Sequence, residues 1–177
     1  MARLPATQGT GEISARILER RGGKLRPLDG MLLHSPQIAD GWNSLLGAIR
    51  SRCTLADAVR ELIIMRIAVV NRADYEWGAH ADVAVESGIT PAQLTALRRP
   101  DVTADLALSP MQQRVIAYTD AMTNDIHVPD DVFDALRADF TDTELVEITA
   151  TIAAYNMVSR FLVALQVELP VDAGVGA

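Results

Sequence analysis

Apolar residues recur at helical spacing along most of the chain, and no stretch alternates apolar and polar residues long enough to predict a β-strand. Ser35, Thr90 and Ser109 each stand directly before a proline, an arrangement typical of helix N-termini. The pattern therefore predicts an all-α fold, a compact helical domain of about six to eight helices.

The boundaries of these helices follow from capping residues, glycines and prolines. Thr54 with Asp57 and Thr141 with Glu144 have capping-box spacing, and each pair precedes a long apolar run. Residues 25–33 are predicted to be irregular, and residues 120–131 are predicted to form an acidic loop. The predicted helices span roughly residues 12–21, 36–50, 55–70, 74–87, 91–99, 110–123, 132–138 and 142–167.

One domain accounts for the whole chain, because no linker or low-complexity segment interrupts it. We expect a flexible or short-helical arm over residues 1–29, a single helical domain over 30–170 and a frayed tail over 171–177. A stripe of Ile38, Trp42, Leu45, Leu46 and Ile49 is predicted to face the core.

The central helix, residues 55–70, carries a carboxylate within an apolar surface. Glu61 shares a helix face with Ile64, Met65 and Ala68 and is predicted to point into the protein. Burying a carboxylate is costly unless it is paired, hydrogen-bonded or neutral. Glu61 therefore either pairs with a neighbouring arginine, such as Arg60 or Arg66, or serves in proton transfer.

The next helix concentrates side chains able to do chemistry. Glu76 and His80 lie four residues apart and share a face, with Tyr75 and Trp77 beside them. The pair resembles half of a metal site, but no second pair accompanies it, so we expect no metal. Tyr75 and Trp77 are either core anchors or residues that contact a ligand.

One prediction for this region concerns how its two helices pack against each other. If they pack antiparallel across the joint at residues 71–73, Glu61 and His80 reach the same level. Their side chains then meet directly or through one water. Such a pair would line one pocket walled by Trp77, Ile64 and Met65, where it could exchange protons with a substrate.

Two further residues are candidates for substrate binding. His34 precedes the Ser35 cap and either faces a pocket or remains a surface group. Arg160 interrupts the apolar surface of the last helix, four residues after Asn156. It either forms a buried pair with Glu61, Glu147 or a neighbouring subunit, or receives an anionic group of the substrate.

Composition narrows the classes of partner. The formal net charge is −7 and no basic cluster is present, which argues against nucleic acid and anionic membrane surfaces. The two most apolar stretches contain charged residues, so neither is predicted to span a membrane. A single cysteine excludes an internal disulfide and is compatible with the cytoplasm, the localisation we expect.

The segment RELIIMRIAVVNRADYEWGAH resembles the core motif of the carboxymuconolactone decarboxylase and alkylhydroperoxidase D family. In that family a helix containing R-E-L precedes C-x-x-C-x-x-x-H. Glu61 and His80 match the family's glutamate and histidine, whereas Ala73 and Glu76 stand at the two cysteine positions. The E-W-x-x-H motif and the later YNMVSRFLVAL stretch resemble sequences of the cysteine-free, decarboxylase-like branch of this family.

The resemblance implies an AhpD-like helical subunit that assembles into a trimer or hexamer. It also implies a lyase of aromatic compound catabolism, acting without a cofactor on a small carboxylated lactone or related cyclic acid. Glu61, His80 and Glu76 would be the catalytic residues, with Tyr75, Trp77, His34 and Arg160 binding the substrate. Thiol peroxidase chemistry needs two cysteines that this motif lacks. The alternative is a non-catalytic or differently catalytic member that binds a small hydrophobic molecule.

Overall fold

The computed structural model describes residues 2–169, and within them the fold is all-helical, as predicted. The predicted frayed tail at 171–177 and the stop at Pro170 lie outside these residues. The described part contains nine α-helices, one more than the upper limit of the prediction, and a short 3-10 helix at Val102–Ala104. The helices are α1 (Glu12–Arg20), α2 (Pro27–Leu32), α3 (Pro36–Ser51), α4 (Asp57–Val70), α5 (Asp74–Glu86), α6 (Pro91–Leu97), α7 (Pro110–Asn124), α8 (Asp130–Arg137) and α9 (Asp142–Leu165).

The additional helix is α2, within the segment predicted to be irregular. Pro27 occupies its first position, and the Asp29 carboxylate accepts a hydrogen bond of 3.0 Å from the backbone N–H of Arg26. Asp29 also accepts hydrogen bonds from the guanidinium of Arg21. The ion pair between Arg21, at the end of α1, and Asp29 thus stabilises a helix of only six residues, which the local sequence did not predict.

Of the two predicted capping boxes, the one at Thr141 is present and the one at Thr54 is absent. Of the three predicted N-caps before proline, Thr90 and Ser109 form capping boxes, and Ser35 begins its helix without a side-chain hydrogen bond. Thr90, Ser109 and Thr141 each bond the backbone N–H three residues ahead. The box predicted at Thr54 is wrong, because α4 begins at Asp57 with Ala56 as its N-cap and no capping side chain. The N–H groups of residues 54 and 55 instead donate to the carboxylate of Glu147 in α9, at 2.8–3.0 Å.

The helices form two compact units, one containing residues up to 52 and from 162, the other containing residues 53–161. In the first unit α1 and α2 both pack against α3. The predicted buried stripe on α3 is only partly right. Trp42, Leu46 and Ile49 are buried, but Ile38 is 56% exposed and Leu45 is 47% exposed. Ala39 takes the place of Ile38 on the buried face.

The second unit is organised around α4, which packs against α5 and α7. Arg66 of α4 is buried and forms two hydrogen bonds with the Asp120 carboxylate of α7, at 2.6 and 2.7 Å. It also donates to the carbonyl oxygens of Leu97 and Arg99. Asp120 therefore belongs to a helix, and the prediction that it opens a loop is wrong, because α7 extends to Asn124.

The long helix α9 packs one side into the protein and exposes the other. Among the described residues it alone is long and apolar enough to cross a membrane, by length and composition. In its most apolar window, 44% of the residues are buried inside the protein.

Candidate active site

Glu61 and His80 meet in the second unit. His80 Nδ1 lies 2.8 Å from Glu61 Oε2, which is hydrogen-bond distance. Glu61 is only 2% exposed, and the side chain of His80 is 13% exposed. The contact predicted from helical rise along the two helices is therefore confirmed.

The three residues between α4 and α5 determine how the two helices pack and therefore that Glu61 and His80 meet. Asn71 caps the C-terminus of α4, Arg72 adopts a left-handed conformation with φ 54°, and Ala73 precedes α5. The N–H of Ala73 donates to the carbonyl of Ala68 at 2.8 Å, which closes the turn. Three residues thus reverse the chain and bring the face of α5 that carries His80 onto α4.

The two arginines predicted as possible partners of Glu61 have different contacts in the structure. Arg66 is engaged by Asp120, as described above. Arg60 Nε lies 3.5 Å from Glu61 Oε1, an electrostatic contact without hydrogen-bond geometry, while its Nη1 pairs with Asp57 at 2.8 Å. Glu61 therefore has a cation beside one oxygen and an imidazole at hydrogen-bond distance from the other. The contact with Arg60 agrees with the first alternative left open by the sequence, and a role in proton transfer stays a prediction.

The second ring nitrogen of His80 is available for chemistry. Within residues 2–169, Nε2 forms no hydrogen bond, while Nδ1 is held by Glu61. Tyr155 of α9 contacts the imidazole edge-on, with ring centroids 5.4 Å apart, and is fully buried. The ring is thus oriented from two sides. Sequence reasoning did not assign Tyr155 to the site, because its proximity depends on how α9 crosses α5.

The other predicted residues of α5 differ in burial. Glu76 and Tyr75 are buried, at 3% and 6% exposure. Trp77 is half-buried, and the guanidinium of Arg98, which follows α6, lies 3.7 Å from the centroid of its ring. This cation–π contact was not predicted, since Arg98 was assigned only to the end of a short helix over residues 91–99.

His34 and Arg160 lie apart from the pair in the chain and differ in setting. His34 belongs to the first unit, where it is exposed and its Nε2 lies 2.8 Å from the carbonyl of Pro5. Arg160 of α9 bonds the Asn156 side chain and carbonyl, and approaches the carbonyl of Thr123. It forms an ion pair with neither Glu61 nor Glu147 among the described residues.

Asn156 links Arg160 to a buried polar network. Its side-chain oxygen Oδ1 accepts a hydrogen bond from the Asn71 amide at 2.9 Å, and its own side-chain amide Nδ2 donates to Thr123 Oγ1 at 3.0 Å. Asn71 also donates to Ser159 at 2.7 Å. This network fixes the end of α4 against α7 and α9. The part of the chain that the structure describes contains no group of three or more His, Cys, Asp or Glu side chains placed to hold a metal.

Residues 36–121 match the sequence profile of the carboxymuconolactone decarboxylase family, and this segment contains both Glu61 and His80. Over this segment, which is just under half of its length, the chain is similar to this family. The resemblance drawn from the RELIIMRIAVVNRADYEWGAH segment is therefore confirmed at the level of the family.

Solved structures share the fold across almost the whole chain. The AhpD core of an uncharacterized peroxidase-related protein from Ralstonia eutropha JMP134 has a TM-score of 0.82 and 21% identity, covering 97% of this chain and 94% of that one. The putative antioxidant defence protein AhpD ATU0492 from Agrobacterium tumefaciens has a TM-score of 0.72 and 24% identity, covering 78% of this chain and 94% of that one.

A third relative broadens the chemistry found on this fold. The debrominase Bmp8, solved in complex with 2,3,4-tribromopyrrole, has a TM-score of 0.71 and 17% identity, covering 89% of this chain and 84% of that one. No curated protein sequence matches this chain. At these identities the structural relatives show a common AhpD-like fold, and the fold alone does not determine the reaction.

Proposed function

We propose that the protein is a cofactor-independent lyase in which Glu61 and His80 transfer protons during decarboxylation of a small carboxylated lactone or related cyclic acid. The observation that carries the proposal is the 2.8 Å contact between His80 Nδ1 and Glu61 Oε2, with Nε2 left without a hydrogen bond among the described residues. Similarity to the carboxymuconolactone decarboxylase family supports the choice of substrate class.

The chemistry requires little beyond an acid and a well-oriented donor. The bond between carbon and the carboxylate breaks, carbon dioxide leaves, and the electron pair enters the neighbouring carbonyl system of the substrate. An imidazolium at His80 then gives its Nε2 proton to the carbon and regains one from water. Since the substrate carries its own electron sink, the reaction needs no cofactor.

Glu61 acts through His80 in this proposal. A carboxylate that accepts from Nδ1–H holds the ring in one orientation and leaves Nε2 facing the substrate. It also stabilises the imidazolium whenever that form is present, as the buried carboxylate does in other catalytic pairs. Tyr155 limits rotation of the ring through its edge-on contact. Glu76, the other buried carboxylate of α5, is a second candidate acid or base.

Substrate binding is assigned to the side chains around the pair. Trp77 and Tyr75 supply aromatic surface, and Arg160 supplies a group that binds carboxylates. The half-buried position of Trp77 supports a role in contacting a ring. The proposed partners are a small-molecule substrate and further copies of the chain, in the cytoplasm, without nucleic acid or membrane.

The experiment is carbon dioxide release from carboxymuconolactone and muconate-type acids by the wild type, Glu61→Gln and His80→Gln. General acid catalysis contributes about 100-fold or more, so each variant is expected to lose at least that factor in turnover. Glu86→Gln and His127→Gln repeat the same chemical changes at exposed positions and serve as matched controls. Full activity in both site variants would place the chemistry elsewhere.

The alternative function, binding without catalysis, predicts a different outcome. Calorimetric affinity for the same acids separates the two, because an enzyme variant such as His80→Gln loses turnover while it keeps affinity. A binding protein shows no turnover in the wild type, and its affinity falls when residues beside the pair are changed.

A further inference from the structure

The outward side of α9 carries a continuous apolar stripe. Val146, Ala150, Ala153 and Met157 follow one another at intervals of four, three and four residues, so they occupy one face of the helix. Val146 is 68% exposed and Met157 is 39% exposed. Four apolar residues in line on a surface helix are typical of a face that is covered in the assembled protein.

A groove runs beside this stripe. It has a volume of about 480 Å³, opens to the surface and is lined almost entirely by apolar groups, from Phe133 of α8 to Leu145, Val146 and Ala153 of α9. Alanines at positions 150 and 153 leave the centre of the stripe flat, so a second helix backbone can approach closely there.

The ends of the stripe carry opposite charges. Asp142 lies one turn before Val146, and Arg160 lies one turn after Met157. Neither side chain forms an ion pair within residues 2–169, although Arg160 bonds the neutral groups of Asn156. The nearby carboxylates of Glu144 and Glu147 are already engaged by Thr141 and Thr54. One unpaired anion and one unpaired cation therefore bracket the apolar residues.

We propose that this face is the contact between two copies of the chain, in which α9 of one copy packs antiparallel on α9 of the other about a two-fold axis near residues 151 and 152. In that register Ala150 faces Ala153 of the partner subunit, and Val146 faces Met157 of the partner subunit. Asp142 comes opposite Arg160 of the partner subunit at both ends, roughly 27 Å apart for 18 residues of helix. A two-fold contact requires such self-complementarity.

The charge pattern favours a second copy over a lipid bilayer. A membrane would leave Asp142 and Arg160 without partners, whereas the antiparallel pair neutralises both at once. The groove beside Val146 also receives Met157 of the partner subunit, a flexible side chain suited to irregular gaps. The proposal shares Arg160 with the substrate-binding residues proposed above but involves neither Glu61 nor His80, so assembly and turnover are measured separately.

The test is light scattering of the purified full chain at micromolar concentration. The wild type is expected to have at least twice the chain mass of 19.1 kDa. Ala153→Arg places two cations at the centre of the contact and is expected to reduce the assembly mass by half or more. Val85→Arg, at an exposed apolar position of α5 outside the stripe, is the matched control and should leave the mass unchanged.

A charge exchange tests the register itself. Asp142→Arg and Arg160→Asp each bring like charges together at both ends, and each is expected to weaken association about tenfold. The double variant restores opposite charges and should recover the wild-type association constant. Circular dichroism confirms that every variant folds. The proposal is overturned by a monomeric wild type, by an Ala153→Arg assembly of unchanged mass, by a double variant no better than the single ones, or by co-sedimentation with phosphatidylcholine vesicles instead of self-association.

Discussion

Arg66 and Asp120 form a two-pronged ion pair between α4 and α7, and the same guanidinium holds two carbonyl oxygens at the end of α6. These acceptors take four N–H donors from one planar group, and lysine has only three. The pair therefore fixes α4 against two other helices, and with it the level at which Glu61 meets α5.

Loss of Arg66 should be strongly destabilising. Arg66→Met leaves a partly buried carboxylate and two carbonyls without their donor, at a cost of about 3 kcal/mol in the free energy of unfolding. Urea denaturation followed by circular dichroism measures this cost. Arg114→Met removes the corresponding pair with Asp139 at a more exposed place and should cost far less. Equal losses in the two variants would contradict the structural role given to Arg66.

Glu147 makes the stability of the protein depend on pH. Burial acts to raise the pKa of its carboxyl, but hydrogen bonds from the N–H groups of Thr54 and Leu55 and from the Thr54 hydroxyl outweigh it, and the pKa lies below its ordinary value of 4.5. A lowered folded-state pKa stabilises the fold above 4.5, and this contribution is lost as the pH falls through the folded-state value.

Glu147→Gln should therefore unfold at lower urea concentration than the wild type at neutral pH, and the difference between them should shrink as the pH is lowered below 4.5. Glu86→Gln, at an exposed position, is the control for a change of charge alone. A difference between wild type and Glu147→Gln that is constant with pH would show that the carboxylate does not act through its ionisation.

The protein should lack thiol peroxidase activity. Ala73 and Glu76 stand where the peroxidase branch has its two cysteines, and Cys53 has no second cysteine with which to form a disulfide. We expect no turnover of hydrogen peroxide or an alkyl hydroperoxide with a dithiol reductant in a coupled assay. Turnover that persists in Cys53→Ser would overturn this prediction.

The amide of Asn156 should contribute to the stability of the helix packing. Asn156→Leu keeps the size of the side chain but removes the partner of Asn71 and Thr123 and places an apolar group next to Arg160. Leaving buried polar groups unsatisfied costs about 2 kcal/mol in the free energy of unfolding. Thermal denaturation tests this, with Val163→Leu at an exposed position of the same helix as control. Indistinguishable midpoints in the two variants would exclude a role for the network.

Local sequence rules predicted those features that depend on a few neighbouring residues. The N-caps predicted at Thr90, Ser109 and Thr141 each depend on four consecutive residues, and all three side chains accept a hydrogen bond from the backbone N–H three residues ahead. The Glu61–His80 contact was predictable because a three-residue joint connects the two helices. The box at Thr54 failed for the opposite reason, since the group that engages its N–H is Glu147, 93 residues away.

Features that arise from the packing of distant helices were beyond such rules. The exposure of Ile38 and Leu45 depends on which side of α3 faces α1 and α2. Tyr155 of α9 contacts His80 of α5, although the two helices are far apart in the sequence. Asp120 lies within α7, where it pairs with Arg66 of α4. Sequence reasoning thus located the candidate pair but not the side chains that support it.

Arg72, whose backbone is left-handed, helps to set the angle by which α5 is rotated about its own axis relative to α4, and so which face of α5 contacts α4. Each residue added to or removed from the joint turns α5 by about 100° relative to α4, and a single insertion would move His80 from the inner face to the solvent side. The contact between Glu61 and His80 therefore requires a joint of this one length. Related chains whose joint differs in length by one residue could keep every helix of this fold and yet have no glutamate–histidine pair.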